Sequence, residues 1–440
     1  MKYFGTDGIR QPADKFTTDF LTKIVKGLAD YAGDQVKIFL AGDTRESTEW
    51  ILQDLAKACE TFGLEYASAG VLPTPAINYC FYEMGFDFAI DVTASHNPYT
   101  DNGIKIFECG KTSGVKLNKE ACVKIEQALD ETSTYDLLPT TDRADLHADA
   151  LELYKEHLLN YLGSDTNLNN LTIAIDCANG ATSVLGDTVF QDLGAKTQLI
   201  HANTKYNTEI NKDCGSTHLE SLQRLVRNNH LDLGIAFDGD GDRCLLVDHT
   251  GTIIDGDEII AILANYLNLD KIAVTVMANQ GLLNWATENH IATEITPVGD
   301  SNVAAAMRTQ DIQIGGEQSG HIILPGETTG DGMLTGLMIA KVVASTHASL
   351  HDLAHIITKS PQVIVNLPAT PEQKQALKTS DSAKQLLLDY GQKLQSEQGR
   401  LLVRPSGTEP LIRITMWGND KGRIEELANN LKDDLTKSLT

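Results

Sequence analysis

Three aspartates alternate with two glycines in the segment DGDGDR, residues 238–243. The apolar residues 233–237 come directly before it and predict a buried strand. Glycines let a short loop fold so that alternate carboxylates converge, and carboxylates held together repel unless a cation lies between them. We therefore expect Asp238, Asp240 and Asp242 to bind Mg²⁺, which leaves coordination positions open for a phosphate oxygen.

Two simpler interpretations of this segment exist. One is an acidic turn that water solvates. The other is an EF-hand, which also begins with alternating aspartates, but position twelve of the loop is His249 instead of the bidentate Glu that calcium requires.

A second polar segment, VTASHNPYTDNG at residues 92–103, follows another apolar run. Ser95 and His96 are adjacent, and adjacent side chains of an extended loop point apart, so we do not expect a nucleophile–base pair. Beside a metal-binding loop, Ser95 could instead carry a phosphoryl group whose charge the metal neutralises. We expect His96 to brace the loop and Lys105, on the strand-like residues 103–107, to act as an electrostatic clamp on phosphate.

Three further glycine-containing segments carry groups suited to a sugar phosphate. RPSGTEP, residues 404–410, offers an arginine, two hydroxyls and exposed N–H groups for a phosphate, unless it is a plain hairpin loop. GGEQSGH, residues 315–321, offers a carboxylate, an amide, a hydroxyl and an imidazole for sugar hydroxyls, unless it is only a glycine-rich turn. GTDGIR, residues 5–10, is the weakest of the three, because a surface turn accounts for it equally well.

The apolar pattern supplies strands that could position these loops. Strand patterns occupy residues 36–41, 86–92, 171–175, 233–237 and 272–276. Helix-length segments such as residues 51–62 lie between them. This alternation predicts an α/β fold with mostly parallel sheets, in which ligands bind beyond the carboxyl ends of the strands.

The pattern changes near residue 363. It then predicts a strand, a helix across residues 371–395, two strands around RPSGTEP and a final helix over residues 423–439, which is a small α+β unit. We predict a phosphoserine-loop domain, a metal-binding domain, a sugar-binding domain and a phosphate-binding C-terminal domain. Their predicted limits are residues 1–150, 151–253, 254–362 and 363–440.

Composition excludes several classes of function. The net charge of −24 disfavours binding to nucleic acid and to anionic membranes. The seven cysteines form no C-x-x-C pair, the first residues contain no apolar signal segment, and no apolar run is long enough to span a bilayer. We expect a cytoplasmic protein that binds no nucleic acid and no membrane.

Taken together, these motifs resemble the α-D-phosphohexomutase superfamily, and in particular its amino-sugar branch. The resemblance runs from YFGTDGIR, residues 3–10, to RPSGTEP, so it covers essentially the whole chain, and the motifs occur in the family's order. It implies three similar mixed α/β domains plus a smaller α+β C-terminal domain around a central cleft.

The resemblance also implies a role for each candidate residue. Ser95 is the phosphoserine and binds Mg²⁺ together with Asp238, Asp240 and Asp242. The residues implied at the transferred phosphoryl group are Arg10, Lys105 and Arg243, with His321 beside the sugar. Those implied in substrate binding are Glu317 and Ser319 for the sugar, and Arg404, Ser406, Gly407, Thr408 and Arg413 for the non-reacting phosphate.

The implied reaction interconverts glucosamine 6-phosphate and glucosamine 1-phosphate. Glucosamine 1,6-bisphosphate is the intermediate and activator, and it turns end for end while the C-terminal domain moves as a lid. Activation of Ser95 by a kinase or by autophosphorylation, and assembly as a homodimer, are open alternatives.

The chain departs from the family pattern at three places. Gln11 and Thr48 each stand where the pattern usually has Gly, and Ser301-Asn302 stand where it has Arg-Tyr. The last change lies on the sugar side, so a mutase for glucose or mannose phosphates is an alternative. A non-catalytic phosphosugar sensor and a Ca²⁺-dependent hydrolase are two others.

Overall fold

The computed structural model describes residues 2–5, 7–33, 35–111, 113–141, 144–395, 399–406 and 410–439. The chain divides into two compact units. Unit 1 comprises Met1–Thr275 and Glu294–His355, and unit 2 comprises Val276–Thr293 and Ile356–Thr440. None of the helices in the described residues is both long and apolar enough to cross a membrane.

The first sheet of unit 1 has the strand order β1-β5-β4-β2-β3, with β6 paired to β5. Its strands are β1 (Ile9–Pro12), β2 (Lys37–Gly42), β3 (Glu65–Val71), β4 (Phe88–Val92), β5 (Asp101–Cys109) and β6 (Gly114–Lys116). The helices of this segment are α1 (Thr18–Ala32), α2 (Glu46–Thr61), α3 (Thr74–Glu83), α4 (Lys119–Leu129) and α5 (His147–Leu162). Strand β2 pairs in parallel with β3 and β4, whereas β5 is antiparallel to β1 and β4.

The second sheet has the order β11-β10-β9-β7-β8. Its strands are β7 (Thr172–Asp176), β8 (Lys196–Ile200), β9 (Leu233–Phe237), β10 (Cys244–Asp248) and β11 (Ile253–Ile254). Helices α6 (Thr188–Asp192) and α7 (Glu220–Asn228) lie within this segment. Strand β7 is parallel to β8 and β9, and β10 is antiparallel to β9.

The third sheet has the order β13-β12-β14-β15. Its strands are β12 (Lys271–Thr275), β13 (Ala292–Thr296), β14 (Ile314–Gly316) and β15 (Ile322–Ile323). The helices of this segment are α8 (Gly256–Tyr266), α9 (Gln280–Glu288, in unit 2), α10 (Asp300–Gln310), α11 (Gly332–Thr346) and α12 (Leu350–Ala354). Strand β12 is parallel to β14, which is antiparallel to β15.

Unit 2 contains an antiparallel sheet with the order β16-β18-β17. Its strands and helices are β16 (Gln362–Pro368), α13 (Pro371–Thr379), α14 (Asp381–Gln395), β17 (Arg400–Pro405), β18 (Leu411–Trp417) and α15 (Lys421–Ser438). Buried apolar residues of the strands and helices, such as Ile414 and Leu431, form its own core.

Each candidate loop that follows a strand joins an antiparallel pair of strands. The serine loop joins β4 to β5, the aspartate loop joins β9 to β10, residues 317–321 join β14 to β15, and residues 406–410 join β17 to β18. The expectation of mostly parallel sheets is therefore wrong, because a short loop cannot make the crossover that a parallel pair requires. The sheets are mixed, which confirms the predicted fold class of three mixed α/β parts and a smaller α+β part.

One predicted helix is divided in two. The expected helix across residues 371–395 is interrupted at Ser380, whose backbone is extended with φ −71° and ψ 125°. The Ser380 hydroxyl accepts a hydrogen bond from the backbone N–H of Ala383 at 3.3 Å, so it caps the first turn of α14. The predicted limits of the four domains stay a prediction.

Helices α1 and α4 approach closely at a glycine. A Cβ atom added to Gly27 would lie 2.5 Å from the Cα atom of Ile125. We expect Gly27→Ala to lower stability by about 1–3 kcal/mol through overpacking. Gly391→Ala is the matched control in α14, where a Cβ would meet nothing within 4 Å. We expect it to stabilise by about 0.5–1 kcal/mol, as Ala does over Gly in a helix. Calorimetric unfolding measures both, and equal effects of the two variants would contradict this packing.

Candidate active site

Ser95 and the aspartate loop meet inside unit 1. Ser95 is fully buried, and its Oγ donates a hydrogen bond to Asp238 Oδ2 at 2.7 Å. The other oxygen of Asp238 accepts the backbone N–H of Arg243 at 3.2 Å, which ties the carboxylate to its own loop. The backbone of Ser95 has φ 54°, a left-handed conformation that is uncommon for residues other than Gly and is enriched at functional sites.

The three aspartates form a buried cluster. One oxygen from each of Asp238, Asp240 and Asp242 lies within 4.8 Å of the others. Within the described residues, Oδ1 of Asp240 and Oδ1 of Asp242 are buried and accept no hydrogen bond. Unpartnered buried carboxylate oxygens are costly, and hard oxygen ligands are those that Mg²⁺ and Ca²⁺ prefer. The cluster therefore fits a divalent cation.

The electrostatics of the cluster support the same conclusion. Burial, together with repulsion from Asp240 and Asp242, raises the pKa of Asp238 well above its usual range. Burial would also raise the pKa of Asp242, but Lys105 and His321 outweigh it and hold that pKa well below the usual range. A bound cation would remove the repulsion that acts on Asp238.

Lys105 on β5 is the main internal counter-charge. Its Nζ lies 2.7 Å from Asp240 Oδ2, 3.1 Å from Asp242 Oδ2 and 3.4 Å from Asp7 Oδ2. Burial alone would lower the pKa of Lys105, but these carboxylates raise it well above its ordinary value. The side chain is thus a buried cation, as the predicted clamp requires.

Asp7 is a site residue that the sequence motifs did not single out. Its carboxylate contacts the guanidinium of Arg10 and the ammonium groups of Lys105 and Lys116. Burial opposes ionisation of Asp7, but the three cations lower its pKa far below the usual range. Lys116 also contacts Asp300 at the start of α10. Asp7 lies within the segment GTDGIR, but Arg10 was the only residue of that segment for which a role was predicted.

Arg45 is the second residue that was not predicted, and it organises the serine loop. It is fully buried, and its Nε donates to Asp43 Oδ2 at 2.8 Å. Its two terminal nitrogens donate to four backbone carbonyls of the loop, those of Ser95 (2.7 Å), Asn97 (2.9 Å), Pro98 (2.5 Å) and Asp101 (3.1 Å). One guanidinium therefore uses all five N–H donors, one to Asp43 and four to the backbone around Ser95.

The expectation that Ser95 and His96 point apart is wrong. Ser95 Oγ and His96 Nδ1 are 3.3 Å apart, because the left-handed backbone of Ser95 turns the two side chains toward each other. Burial, together with the positive charges of Arg243 and Arg10, lowers the pKa of His96 to about 4. His96 is therefore a neutral imidazole beside the serine at neutral pH.

The loop at residues 315–321 joins the aspartate loop through the backbone. Arg243 and His321 form an antiparallel bridge, and the N–H of Cys244 donates to the carbonyl of Gly320 at 3.0 Å. His321 Nδ1 lies 3.6 Å from Asp242 Oδ2, and its Nε2 accepts the N–H of Gly330 at 3.1 Å.

The predicted sugar-binding residues Glu317 and Ser319 lie in the turn between β14 and β15. Glu317 Oε1 accepts the N–H of Gly299 at 3.1 Å, which links this turn to the residue that precedes α10.

Unit 2 contains the predicted phosphate-binding residues. Arg404 and Arg413 lie directly opposite each other in the pairing of β17 with β18, and Ser406 follows at the end of β17. The carbonyl of Ser406 accepts a hydrogen bond from Lys374 Nζ at 2.8 Å, which adds a third cation. Gly407 and Thr408 lie outside the described residues.

The site in unit 1 has the parts of a phosphoryl-transfer centre. It combines a buried serine oxygen, a carboxylate cluster that fits a divalent cation, and the cations Lys105, Arg10 and Arg243. In such transfers catalysis is mostly positioning and neutralisation of phosphate charge.

Four family models match the chain in sequence. The phosphoglucomutase/phosphomannomutase alpha/beta/alpha domains I, II and III match residues 1–136, 152–251 and 255–360, and the C-terminal domain of the same family matches residues 365–433. The chain therefore belongs to the phosphoglucomutase/phosphomannomutase family of phosphohexomutases, which confirms the predicted enzyme class.

Two curated relatives and one solved structure show which members of this family the chain is similar to. The phosphoglucosamine mutase of Clostridioides difficile (strain 630) is 38% identical over the full length of both chains. That of Caldicellulosiruptor bescii is 40% identical over 98% of each chain. Among solved structures, Aspergillus fumigatus N-acetylphosphoglucosamine mutase in complex with GlcNAc-6P and magnesium superposes with a TM-score of 0.67 and 17% identity, covering 100% of this chain and 96% of that one. The last similarity shows the shared fold.

Replacement of Arg45 tests the support of the serine loop. We expect Arg45→Lys to destabilise unit 1 by about 2–5 kcal/mol, because an ammonium has three donors and must leave at least two of the five acceptors of Arg45, the four carbonyls and Asp43 Oδ2, without this partner. Arg423→Lys is the control, since Arg423 forms an exposed pair with Glu426, and it should change stability by less than about 0.5 kcal/mol. Chemical denaturation measures both variants, and an unchanged Arg45→Lys protein would contradict the assigned role.

Proposed function

We propose that this phosphohexomutase interconverts glucosamine 6-phosphate and glucosamine 1-phosphate, with Ser95 as the residue that carries the phosphoryl group. The observation that carries the proposal is the 2.7 Å contact between Ser95 Oγ and Asp238, inside a cluster of carboxylates with unpartnered oxygens. A serine placed there can exchange a phosphoryl group, whereas a sensor has no use for a buried nucleophile.

Asp238, Asp240 and Asp242 would hold Mg²⁺ together with an oxygen of the seryl phosphate. When bound, the cation neutralises the charge of the transferring phosphoryl group. Lys105, Arg10 and Arg243 would bind the remaining phosphoryl oxygens from the protein side. His321 would lie next to the sugar. Its contact with Asp242 would hold the imidazole in place.

The transfer exchanges one phosphorus–oxygen bond for another. The bond from phosphorus to the Ser95 oxygen breaks while a bond forms from phosphorus to a sugar hydroxyl oxygen. The hydroxyl proton ends on the Ser95 oxygen. A hexosamine 1,6-bisphosphate results, and glucosamine 1,6-bisphosphate is thus both intermediate and activator. Return of the other phosphate to Ser95 completes the isomerisation.

Two groups of residues would bind the rest of the substrate. Glu317 and Ser319 would contact the sugar hydroxyls. The non-reacting phosphate would bind to the loop of unit 2, whose proposed ligands are Arg404, Ser406, Gly407, Thr408 and Arg413. Arg404 and Arg413 lie opposite each other in the pairing of β17 with β18, so this loop would offer two guanidinium groups to the phosphate.

The proposed identity of the sugar rests on relatives that match nearly the whole chain, since the two relatives described above are both named phosphoglucosamine mutase. One local feature favours a second candidate, a mutase for glucose or mannose phosphates. Ser301 and Asn302 occupy the first turn of α10, and Asn302 Nδ2 donates to the carbonyl of Val298 at 3.0 Å. This turn follows Gly299, whose N–H donates to the proposed sugar-binding residue Glu317. The presence of Ser-Asn instead of Arg-Tyr would therefore change the part of the site that binds the sugar.

Three further expectations accompany the proposal. All seven cysteines are free thiols, which fits the predicted cytoplasmic location. First phosphorylation of Ser95 by a kinase or by autophosphorylation stays a prediction. Assembly as a homodimer also stays a prediction.

Replacement of the serine tests the proposal. We expect the purified protein to show a phosphate-sized mass increase that Ser95→Ala lacks, and Ser95→Ala to lose at least about 10³-fold in interconversion because no other group can carry the phosphoryl. Ser164→Ala, an exposed position, is the control and should keep both properties. Relative turnover of glucosamine, glucose and mannose 6-phosphates identifies the sugar. If the Ser95→Ala protein carried no phosphate and still interconverted the sugar phosphates, the proposal would be contradicted.

Metal removal tests the carboxylate cluster. We expect chelation to abolish interconversion and added Mg²⁺ to restore it, and we expect Asp240→Asn to need at least about 10-fold more Mg²⁺ for half-maximal rate. Asp14→Asn removes an exposed carboxyl and serves as the control for lost charge. Net release of inorganic phosphate at the rate of turnover would instead indicate the Ca²⁺-dependent hydrolase.

A further inference from the structure

Asp91 is a buried carboxyl with no assigned part in phosphoryl transfer. It lies on β4, four residues before Ser95, and it is fully buried. Its Oδ2 lies 2.6 Å from the Oγ1 of Thr74, the first residue of α3, and its Oδ1 has no hydrogen-bond partner within the described residues. A charged carboxylate in this position would be very costly, so its protonation state matters.

The hydrogen bonds around Thr74 require one more proton than a hydroxyl can supply. Thr74 Oγ1 lies 2.6 Å from Asp91 Oδ2 and 3.0 Å from Asp240 Oδ2. Two oxygen–oxygen hydrogen bonds need two protons, and the hydroxyl has one. Asp240 Oδ2 already accepts a hydrogen bond from the ammonium of Lys105 at 2.7 Å, so we treat it as an ionised acceptor of the Thr74 hydroxyl as well. A proton on Asp91 Oδ2 would supply the second.

The surrounding charges agree with a neutral Asp91. Burial raises its pKa well above the usual range, and Asp240 and Asp43 add to this effect against the attraction of Lys105. Lys105 lies opposite Asp91 in the pairing of β4 with β5, but its ammonium is bonded to Asp240, Asp242 and Asp7.

We propose that Asp91 is a neutral carboxylic acid that donates to Thr74 Oγ1, so that the Thr74 hydroxyl is turned toward Asp240, and that Asp91 thereby positions a metal-binding carboxylate. Were Asp91 ionised, the single hydroxyl proton would go to Asp91, the nearer oxygen, and Asp240 would lose it.

The consequence for Asp240 follows from the geometry. Thr74 holds Asp240 twice, since its backbone N–H donates to the Asp240 carbonyl at 2.8 Å and its hydroxyl to Oδ2 at 3.0 Å. Together with Lys105, this fixes Oδ2 and leaves the unpartnered Oδ1 for a cation. Outer partners of this kind orient metal ligands and tune metal affinity. This role rests on the metal site of the proposed function.

An infrared difference spectrum tests the protonation state without any metal. We expect the spectrum of the wild type minus that of Asp91→Asn at neutral pH to contain the C=O stretch of a protonated carboxylic acid, and that band to shift in D₂O. A difference spectrum that contains only carboxylate bands would overturn the proposal. Failure of the metal site would not alter this result.

Titration with Mn²⁺ alone, followed by electron paramagnetic resonance, tests the positioning role. Thr74→Val removes the donor to Asp240, and we expect its Mn²⁺ affinity to fall by about 10–100-fold. Asp91→Leu leaves the hydroxyl without its fixed partner and should weaken binding by at least about 3-fold, which is less than the loss in Thr74→Val because the hydroxyl itself stays. Asp91→Asn restores a donor of the same shape and Thr74→Ser keeps the hydroxyl, so both should bind within about 3-fold of the wild type.

The control is Asp14→Asn, which should bind Mn²⁺ like the wild type. Wild-type affinity in Asp91→Leu, or an equal loss in Asp91→Asn and Thr74→Val, would overturn the positioning role. A wild type that binds no Mn²⁺ would refute the metal site itself, and the infrared result would still decide the state of Asp91.

Discussion

The burial of three aspartates beside a serine is the constraint on which the rest of unit 1 depends. Asp238, Asp240 and Asp242 cannot share a buried space as anions unless cations lie among them. The protein supplies Lys105 from β5, and Asp7 in turn holds Lys105, Arg10 and Lys116 in place. Even so, one oxygen of Asp240 and one of Asp242 accept no hydrogen bond among the described residues, and a divalent cation would use these oxygens as ligands.

The strand topology delivers these groups to one place. Ser95 lies in the loop between β4 and β5, Lys105 lies on β5, and the aspartates lie at the reversal between β9 and β10. A tight reversal exposes backbone carbonyls that need donors. Arg45 provides them from the start of α2, and Asn211 adds a hydrogen bond to the Ser95 carbonyl at 2.9 Å. The strained backbone of Ser95 is therefore held from two sides.

Much of this arrangement is visible in the sequence, and the failures have physical causes. Strand Leu233–Phe237 and the aspartates after it stand out, because alternating Asp and Gly directly after an apolar run is typical of a metal-binding loop. The relation of Ser95 to His96 was predicted wrongly, since a left-handed backbone at a non-glycine residue leaves no mark in the residue types. Arg45 was not predicted because its partners are backbone carbonyls of residues about fifty positions away. Asp91 looks like part of an ordinary strand, and only the packing of α3 against it shows the shared hydroxyl.

If Ser95 carries the phosphoryl group and the aspartates hold the cation, the two should occupy one site. Phosphorus NMR of the phosphorylated protein, titrated with paramagnetic Mn²⁺, measures their separation. We expect the phosphoserine resonance to broaden beyond detection at one equivalent of Mn²⁺ and the Asp240→Asn protein to require far more. A phosphoserine resonance that stays sharp at saturating Mn²⁺ would contradict a shared site.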